Sequence, residues 1–396
     1  MRSNNLLVIA NNFPNEDNSY VAGIFVKEQI KYLKNYFQTV YVISPVPYGM
    51  ESLRKTTYRD YQYENVKVFF PKYFNVLFFY TRLRSIWVYF EIKAMLEVIE
   101  REGIDFDLIH AHFTWPSGAV AIELKTFFNV PVAITSHSNI TFYKELKRKN
   151  SNYISIWKKS DAIIRVSKKD IPLFINSGVN SNKIYHIVNG YDPTKYFSIA
   201  KEKARELLNL PQGIEIILNI SRLYRIKGQD YLVKAMAEVI KNRSNCRCYI
   251  GGNGPERDKL KDQISELGLQ DYVHLIGFVP DDKMCLWINA CDIFVLPSLN
   301  ETNPTVMFEC LGCGKPFVGT KVGGVPEIIT SDDYGLLAEP GDTQDLAEKI
   351  KIALDKSWDE RQILKYVEQY KWENIAAQIA TVYDEICSEN LTFKSA

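Results

Sequence analysis

The chain has 396 residues and balances 48 Lys and Arg against 47 Asp and Glu, a formal charge of +1, so it lacks the positive field of a general nucleic-acid binder. Its length suits two or three domains with cores of their own. With 46% hydrophobic and 24% charged residues, it reads as an ordinary globular protein, neither disordered nor a small stapled module.

Short apolar runs rich in β-branched residues occupy 6–10, 40–43, 108–111, 132–135, 162–166 and 184–187, separated by longer stretches of mixed polarity. That alternation predicts strands interleaved with helices. The first run is too short for a signal peptide and is followed by Asn11 and Asn12; no run reaches bilayer length. The rhythm resumes at 214–220, 246–250, 273–276, 293–296 and 317–319, which predicts an α/β chain with two doubly wound parallel sheets. The seam is expected near Phe197, giving domains 1–197 and 198–371. In the segment 372–396, Trp372, Ile375, Ala376, Ile379, Ala380, Tyr383 and Ile386 line one face of a helix.

Seven cysteines, an odd number, read as the reduced thiols of a cytoplasmic protein. Cys310 and Cys313 form a C-x-x-C pair, but a structural zinc site wants four ligands, so burial is the expectation. From Phe69 to Tyr80 seven residues are Phe or Tyr, and Arg82, Arg84 and Trp87 follow. This is either a surface for lipid headgroups or a hydrophobic acceptor, or a buried crossover with solvated arginines.

The densest chemistry lies in PSLNETNPTVMFECLGCGKP, directly after the run 293–296. Asn303 as N-cap and Pro304 at the first helical position predict a helix start, whose free N–H groups at Thr305 and Val306 suit an anion such as a phosphate. Glu301 before that helix and Glu309 within it would repel a phosphate, so at least one is expected to accept hydrogen bonds from ribose or sugar hydroxyls. The alternative is an acidic residue that complements the helix dipole. In SRLYRIKGQD, Arg222 and Lys227 occupy a strand-to-helix loop that Gly228 turns. Facing a diphosphate, they would supply charge-assisted bonds of about 1.5–3 kcal/mol each. The glycines of GGNGP, 251–255, make a tight turn without a Walker lysine, and Gly323 and Gly324 allow a close backbone approach.

In the first domain, His110 and His112 flank Ala111 at a strand end, so alternation puts both rings on one face, and His137 follows another strand. Sugar hydroxyls or proton handling near neutral pH suit them; with no carboxylate to complete a ligand set, no metal is expected. Gly23, in the loop after the first strand, would let the backbone approach a ligand.

Taken in order, FDLIHAHF, TSHS, VNGYD, SRLYRIKG, GGNGP, IGFVP and the Glu301–Glu309 spacing with GGVPEI behind it resemble the retaining glycosyltransferases of family 4, over nearly the whole chain. The resemblance implies the GT-B architecture: two Rossmann-like domains facing a cleft, the first on the acceptor side and the second binding the donor, with the last helix crossing back to the first domain. It implies that Arg222 and Lys227 hold the donor diphosphate, bordered by Gly23 and by Thr305 and Val306. Glu309 would bind the nucleotide ribose, and the Gly277–Val279 backbone the base. Glu301 and His112 would lie by the reacting sugar, and His137, Asn189 and Asn303 in the sugar or acceptor vicinity. It further implies a nucleoside-diphosphate sugar as donor substrate, no separate cofactor and no metal. The acceptor would be a glycan or a lipid-linked acceptor, met in the cytoplasm or, as the aromatic-basic segment after Phe69 suggests, at the inner face of the membrane. Two positions depart from the pattern: Asn303 and Pro304 replace a Phe-Gly pair, and Ala22 replaces a second glycine beside Gly23. The competing expectations are a nucleotide-sugar epimerase of the same architecture and a nucleotide-sugar-binding regulator without turnover.

Overall fold

The computed structural model describes residues 5–18, 20, 22–54, 56–75, 83–137, 143, 145 and 151–394, with side chains through 389. The chain forms two compact units, Met1–Val188 with Trp372–Ala396, and Asn189–Lys371. The first seam thus falls ahead of the expected Phe197. Residues 189–197 are tied to the second unit: Tyr191 bridges Lys371, Asn189 bonds Asn303, and the Phe197 carbonyl accepts from Asn289 Nδ2.

In the first unit, β1 (Asn5–Ile9), β2 (Thr39–Ile43), β4 (Tyr61–Tyr63), β5 (Val66–Phe69), β7 (Leu108–His112), β8 (Val132–Thr135), β9 (Ala162–Arg165) and β10 (Ile184–His186) form one sheet, in the order β10-β9-β8-β7-β1-β2-β5-β4. All neighbours are parallel except β4 with β5. The short strands β3 (Val46–Pro47) and β6 (Lys72–Tyr73) pair separately. Every residue of β7 is buried, the near-continuous apolar run of a strand covered on both faces. Helix α1 (Ile24–Leu33) starts at Gly23, whose φ of 79° is left-handed. Helix α2 (Arg84–Glu102) and helix α3 (Ala119–Phe128) bury Met95, Val98, Val120 and Leu124 among Leu7, Ile9 and Ile109.

In the second unit, β11 (Glu215–Ile220), β12 (Cys246–Gly251), β13 (Val273–Gly277), β14 (Ile293–Leu296), β15 (Phe317–Thr320) and β16 (Gly335–Ala338) form a parallel sheet in the order β13-β12-β11-β14-β15-β16. The relevant helices are α4 (Gln229–Val239), α5 (Asp281–Ala290), α6 (Thr305–Gly312) and α7 (Thr343–Asp355). Leu232, Val233 and Met236 of α4 pack with Leu346 and Ile350 of α7 over Ile217, Ile250 and Val295, each buried side chain stabilising by about 1.5–3 kcal/mol. The chain ends in α8 (Trp372–Lys394), which belongs to the first unit and packs on α1. Its Ile375, Ile379, Tyr383 and Ile386 are buried, the face that the spacing marked.

Both sheets reverse strand order once. In the first unit the reversal lies between β1 and β7, and in the second between β11 and β14. Ligands of open α/β sheets bind outside the carboxyl ends of strands at such a switch point. The loops after these four strands therefore frame the candidate site in each unit.

Candidate functional site

In the second unit the switch point gathers the two densest motifs. The loop after β11 carries Arg222 and Lys227, and the loop after β14 carries Glu301. Lys227 Nζ donates to Glu301 Oε1 at 2.5 Å, and the Ser298 hydroxyl donates to the same oxygen at 2.7 Å. The backbone locks the loops together, since Leu299 N–H donates to the Ile226 carbonyl at 2.8 Å. Gly228, with φ of 68°, allows this: a Cβ there would stand 2.1 Å from the Pro297 carbonyl oxygen. Arg222 is exposed, its guanidinium 5.5 Å from the centre of the Tyr224 ring.

Beside this pair begins α6, whose first residues Thr305 and Val306 are half-buried and present N–H groups that no earlier turn uses. Glu309 lies farther along the same helix, also half-buried. Cations, an open helix N-terminus and a carboxylate one turn in can together neutralise a phosphate group and accept hydroxyls.

Asn303 corrects the expectation of an N-cap. The N-cap residue is Pro304, while Asn303 Oδ1 accepts the Asn189 N–H at 2.8 Å and its carbonyl accepts Asn189 Nδ2 at 2.7 Å. A long-range partner outcompetes the local cap. The exchange leaves Asn303 Nδ2 a buried donor without a hydrogen-bond partner, next to the start of α6.

The glycine motifs serve the loops themselves. A Cβ on Gly252 would meet the Ser221 carbonyl at 1.9 Å, one on Gly254 the Leu223 carbonyl at 2.2 Å, and one on Gly323 the Glu301 carbonyl at 1.8 Å. GGNGP thus braces the loop of Arg222 and Lys227, and GGVPEI braces the loop of Glu301. Gly277 joins this bracing, its carbonyl accepting the Gly252 N–H at 2.7 Å; Val279 is buried.

In the first unit the end of β7 brings the histidines together. The rings of His110 and His112 lie 4.4 Å apart, and His112 Nδ1 is 3.4 Å from His137 Nε2. His110 is spoken for: Nε2 meets Thr135 Oγ1 at 2.7 Å and Nδ1 meets the Tyr383 hydroxyl at 2.6 Å. His112 Nε2, in contrast, is buried without a partner. Burial lowers His110 to about 3 and, with the Arg165 charge nearby, His137 to about 3. Burial and its two histidine neighbours hold His112 well below its ordinary range. These rings are neutral at pH 7, which fits His112 as a hydrogen-bonding group and removes proton handling near neutrality. Gly23 sits against the loop after β1, where a Cβ would stand 2.1 Å from the Asn12 carbonyl oxygen.

Part of the aromatic-basic segment is packed. Phe69, Phe70, Tyr73 and Trp87 are buried and Phe74 is exposed; residues 76–82 of the aromatic-basic segment lie outside the described residues. Arg84 pairs with Glu145 at 2.8 Å. Cys310 and Cys313 are buried, with Cys313 Sγ 3.9 Å from Cys285 Sγ. Among the described residues no group of three or more His, Cys, Asp or Glu is arranged to hold a metal ion, and no helix is long and apolar enough to cross a membrane.

One residue escaped the sequence reading. Glu91 is fully buried on α2 and accepts Asn11 Nδ2 at 2.7 Å, at the end of β1. The signal was present: Glu91 falls on the helix face of Trp87, Ala94, Met95 and Val98, all buried, and a carboxylate at an apolar position asks for a partner.

Comparison with known proteins gives the same picture. The model of glycosyl transferases group 1 matches residues 200–382, and that of glycosyltransferase family 4 matches residues 22–195. An uncharacterized glycosyltransferase of Methanocaldococcus jannaschii, MJ1607, is 28% identical over 318 residues, 75% of this chain and 80% of that protein. The N-acetyl-alpha-D-glucosaminyl L-malate synthase of Bacillus anthracis is 27% identical over 310 residues, 75% of this chain and 79% of that protein. In fold, the sucrose-phosphate synthase of Thermosynechococcus elongatus superposes with a TM-score of 0.80 at 21% identity, covering 98% of this chain and all of that one (100%). Anabaena Alr3699/HepE, solved in complex with UDP, superposes at 0.74 with 20% identity over 96% of this chain and 100% of that one. With two Rossmann-like parallel-sheet units and both family models matched in order, the chain belongs to the family 4 glycosyltransferases of GT-B fold.

Proposed function

We propose that the protein transfers a sugar, with retention of anomeric configuration and without a metal ion, from a nucleoside-diphosphate sugar to a hydroxyl of a glycan or lipid-linked acceptor. The observation that carries this reading is the Lys227–Glu301 pair at the switch point of the second unit, beside the N-terminus of α6. Lys227, Arg222 and the N–H groups of Thr305 and Val306 neutralise the departing diphosphate, charge that a bound cation supplies in other transferases. Glu309 accepts the ribose hydroxyls, the backbone of Gly277 and Val279 borders the base, and Glu301 and the free Nδ2 of Asn303 meet the sugar, with Asn189 holding Asn303 in place. Uridine is the first base to test, because a fold neighbour was solved with UDP.

The first unit takes the acceptor, and we assign His112, whose Nε2 is unused, to the sugar hydroxyls, with His137 orienting it and Gly23 bordering the phosphates. The bond from the anomeric carbon to the donor phosphate oxygen breaks, its electron pair leaving with the diphosphate. The acceptor oxygen bonds the same face of the sugar, and its proton passes to that phosphate oxygen. Contact with the inner face of the membrane through the aromatic-basic segment is part of the proposal when the acceptor is lipid-linked; binding to anionic liposomes at low salt tests it.

The decisive assay offers a panel of nucleotide sugars with and without glycan and lipid acceptors, and follows nucleoside diphosphate release and product anomers by NMR, in EDTA. Acceptor-dependent release with unchanged configuration is expected. Isomerised sugar without acceptor would replace the reading with an epimerase, and nucleotide binding without turnover would replace it with a regulator.

A further inference from the structure

The switch point of the first unit holds a polar clamp that the transfer reading does not use. Where β1 ends, the side chain of Asn11 is gripped at both ends. Its Nδ2 donates to Glu91 Oε1 at 2.7 Å, and its Oδ1 accepts the Ser117 hydroxyl, while Asn11 N–H donates to Ser117 Oγ at 3.3 Å. Ser117 belongs to the segment that follows β7. One amide therefore joins the two strand ends between which the sheet order reverses, and a carboxyl from α2 anchors it.

Glu91 is 0% exposed. A carboxyl without solvent costs several kcal/mol unless it is hydrogen-bonded, and the apolar face of α2 would pack at least as well with Leu or Met. Its one bond to the strand ends is the one to Asn11. Besides Asn11, Oε1 accepts Trp87 Nε1 at 2.9 Å, and the Tyr73 hydroxyl of β6 is the titratable neighbour; Asn11 and Trp87 are neutral. Burial pushes the carboxyl up to about 7, against the lowering effect of the Tyr73, Trp87 and Asn11 bonds.

The backbone transmits what Glu91 fixes. Asn12, the next residue, has its carbonyl where a Cβ on Gly23 would stand 2.1 Å away, so a displaced Asn11 also displaces the head of α1. Asn12 Oδ1 in turn accepts the Tyr20 hydroxyl at 3.0 Å and Arg54 Nη2 at 3.2 Å.

We propose that Glu91 is a positioning residue: through Asn11 it fixes the turn after β1 and the start of α1 in the arrangement that transfer to the acceptor requires. The catalytic half of this inference rests on the transfer reading above, and the positioning half on geometry alone. Glu91 touches no ligand itself: it reaches Gly23, which the transfer reading sets at the donor phosphates, only through Asn11 and the Asn12 carbonyl.

The test compares wild type with Glu91→Gln, Glu91→Ala and Asn11→Ala by amide hydrogen exchange, UDP binding and transfer kinetics. In Glu91→Ala and Asn11→Ala, amides of residues 11–18 and 22–26 are expected to exchange about tenfold faster while those of β8 keep their protection. kcat is expected to fall about tenfold and UDP affinity by less, because of the groups assigned to the diphosphate only Gly23 is displaced. Glu91→Gln retains an oxygen for Asn11 and is expected to keep wild-type protection and wild-type kcat. Wild-type protection of the turn in a folded Asn11→Ala or Glu91→Ala protein would overturn the positioning role. A kcat in Glu91→Gln as low as in Glu91→Ala, with the turn still protected, would overturn the link between the Asn11 bond and turnover. Absence of transfer by the wild type with every donor would refute the transfer reading and the catalytic half with it, while the exchange data still decide the positioning half.

Discussion

The ammonium of Lys227 and the carboxylate of Glu301 face each other at 2.5 Å across the loops that follow β11 and β14. Each side chain is mostly buried, at 17% and 9% exposed, so the pair holds its geometry before any ligand arrives. On the proposed reading an incoming diphosphate, which carries more charge than Glu301, competes for Lys227, and the carboxylate it displaces becomes available to sugar hydroxyls.

Lys227→Ala is therefore expected to lower kcat/KM about 100-fold or more, near 3 kcal/mol of transition-state stabilisation. It also strands a carboxylate that is mostly buried, at a cost of about 1–3 kcal/mol in stability. Steady-state kinetics and urea unfolding check the two effects. Loss of stability without loss of turnover would make the pair structural.

Asn303→Ala removes both the acceptor of the Asn189 N–H and the unused Nδ2. The expected result is a stability loss of about 1–3 kcal/mol and a raised KM for the nucleotide sugar, with smaller change in affinity for the bare nucleoside diphosphate. Calorimetry with the two ligands separates these outcomes.

Gly323→Ala tests the brace behind Glu301. At φ of 54°, with the new Cβ 1.8 Å from the Glu301 carbonyl oxygen, the loop has to move, at a cost on the order of 2–4 kcal/mol. Turnover is expected to fall with it. Gly213→Ala, also at positive φ but with nothing within 4 Å of its Cβ, is expected to cost only about 1–2 kcal/mol and to leave turnover intact.

The buried histidines set an acid limit. His110 and His137 are held at about 3 in the folded chain, below about 6.5 in the unfolded one. Below about pH 6.5 the unfolded chain therefore binds more protons, and stability falls as pH drops through the window from 6.5 towards 3, by up to about 1.4 kcal/mol per pH unit per histidine. Urea unfolding of wild type and His110→Gln between pH 7 and 5 is expected to show a shallower loss in the variant. Parallel curves would contradict the assignment.

The strands were legible because parallel strands buried on both faces leave apolar runs, and the runs at 108–111 and 293–296 match β7 and β14 within a residue. β3 and β6, two residues each, leave no run to read. The cations and carboxylates of the second unit were legible as motifs in strand-to-helix loops, but not their pairing, since 74 residues separate Lys227 from Glu301. Asn303 misled because its local pattern is that of an N-cap, whereas its partner lies 114 residues away. Glu91 was readable only by treating a carboxylate on an apolar helix face as a question, and its answer, Asn11, lies 80 residues earlier. Propensity and spacing see neighbours along the chain; hydrogen bonds closed by the sheet order are invisible to them.

The proposed function stands on donor-diphosphate binding by Lys227 and Arg222 at the switch point of the second unit. Calorimetric titration of UDP, GDP and ADP into wild type, Lys227→Ala and Arg222→Ala tests it most directly. One nucleotide is expected to bind the wild type, and each substitution to weaken it at least about tenfold, the loss of one charge-assisted bond. Equal affinity in wild type and both variants would mean that neither cation holds the diphosphate.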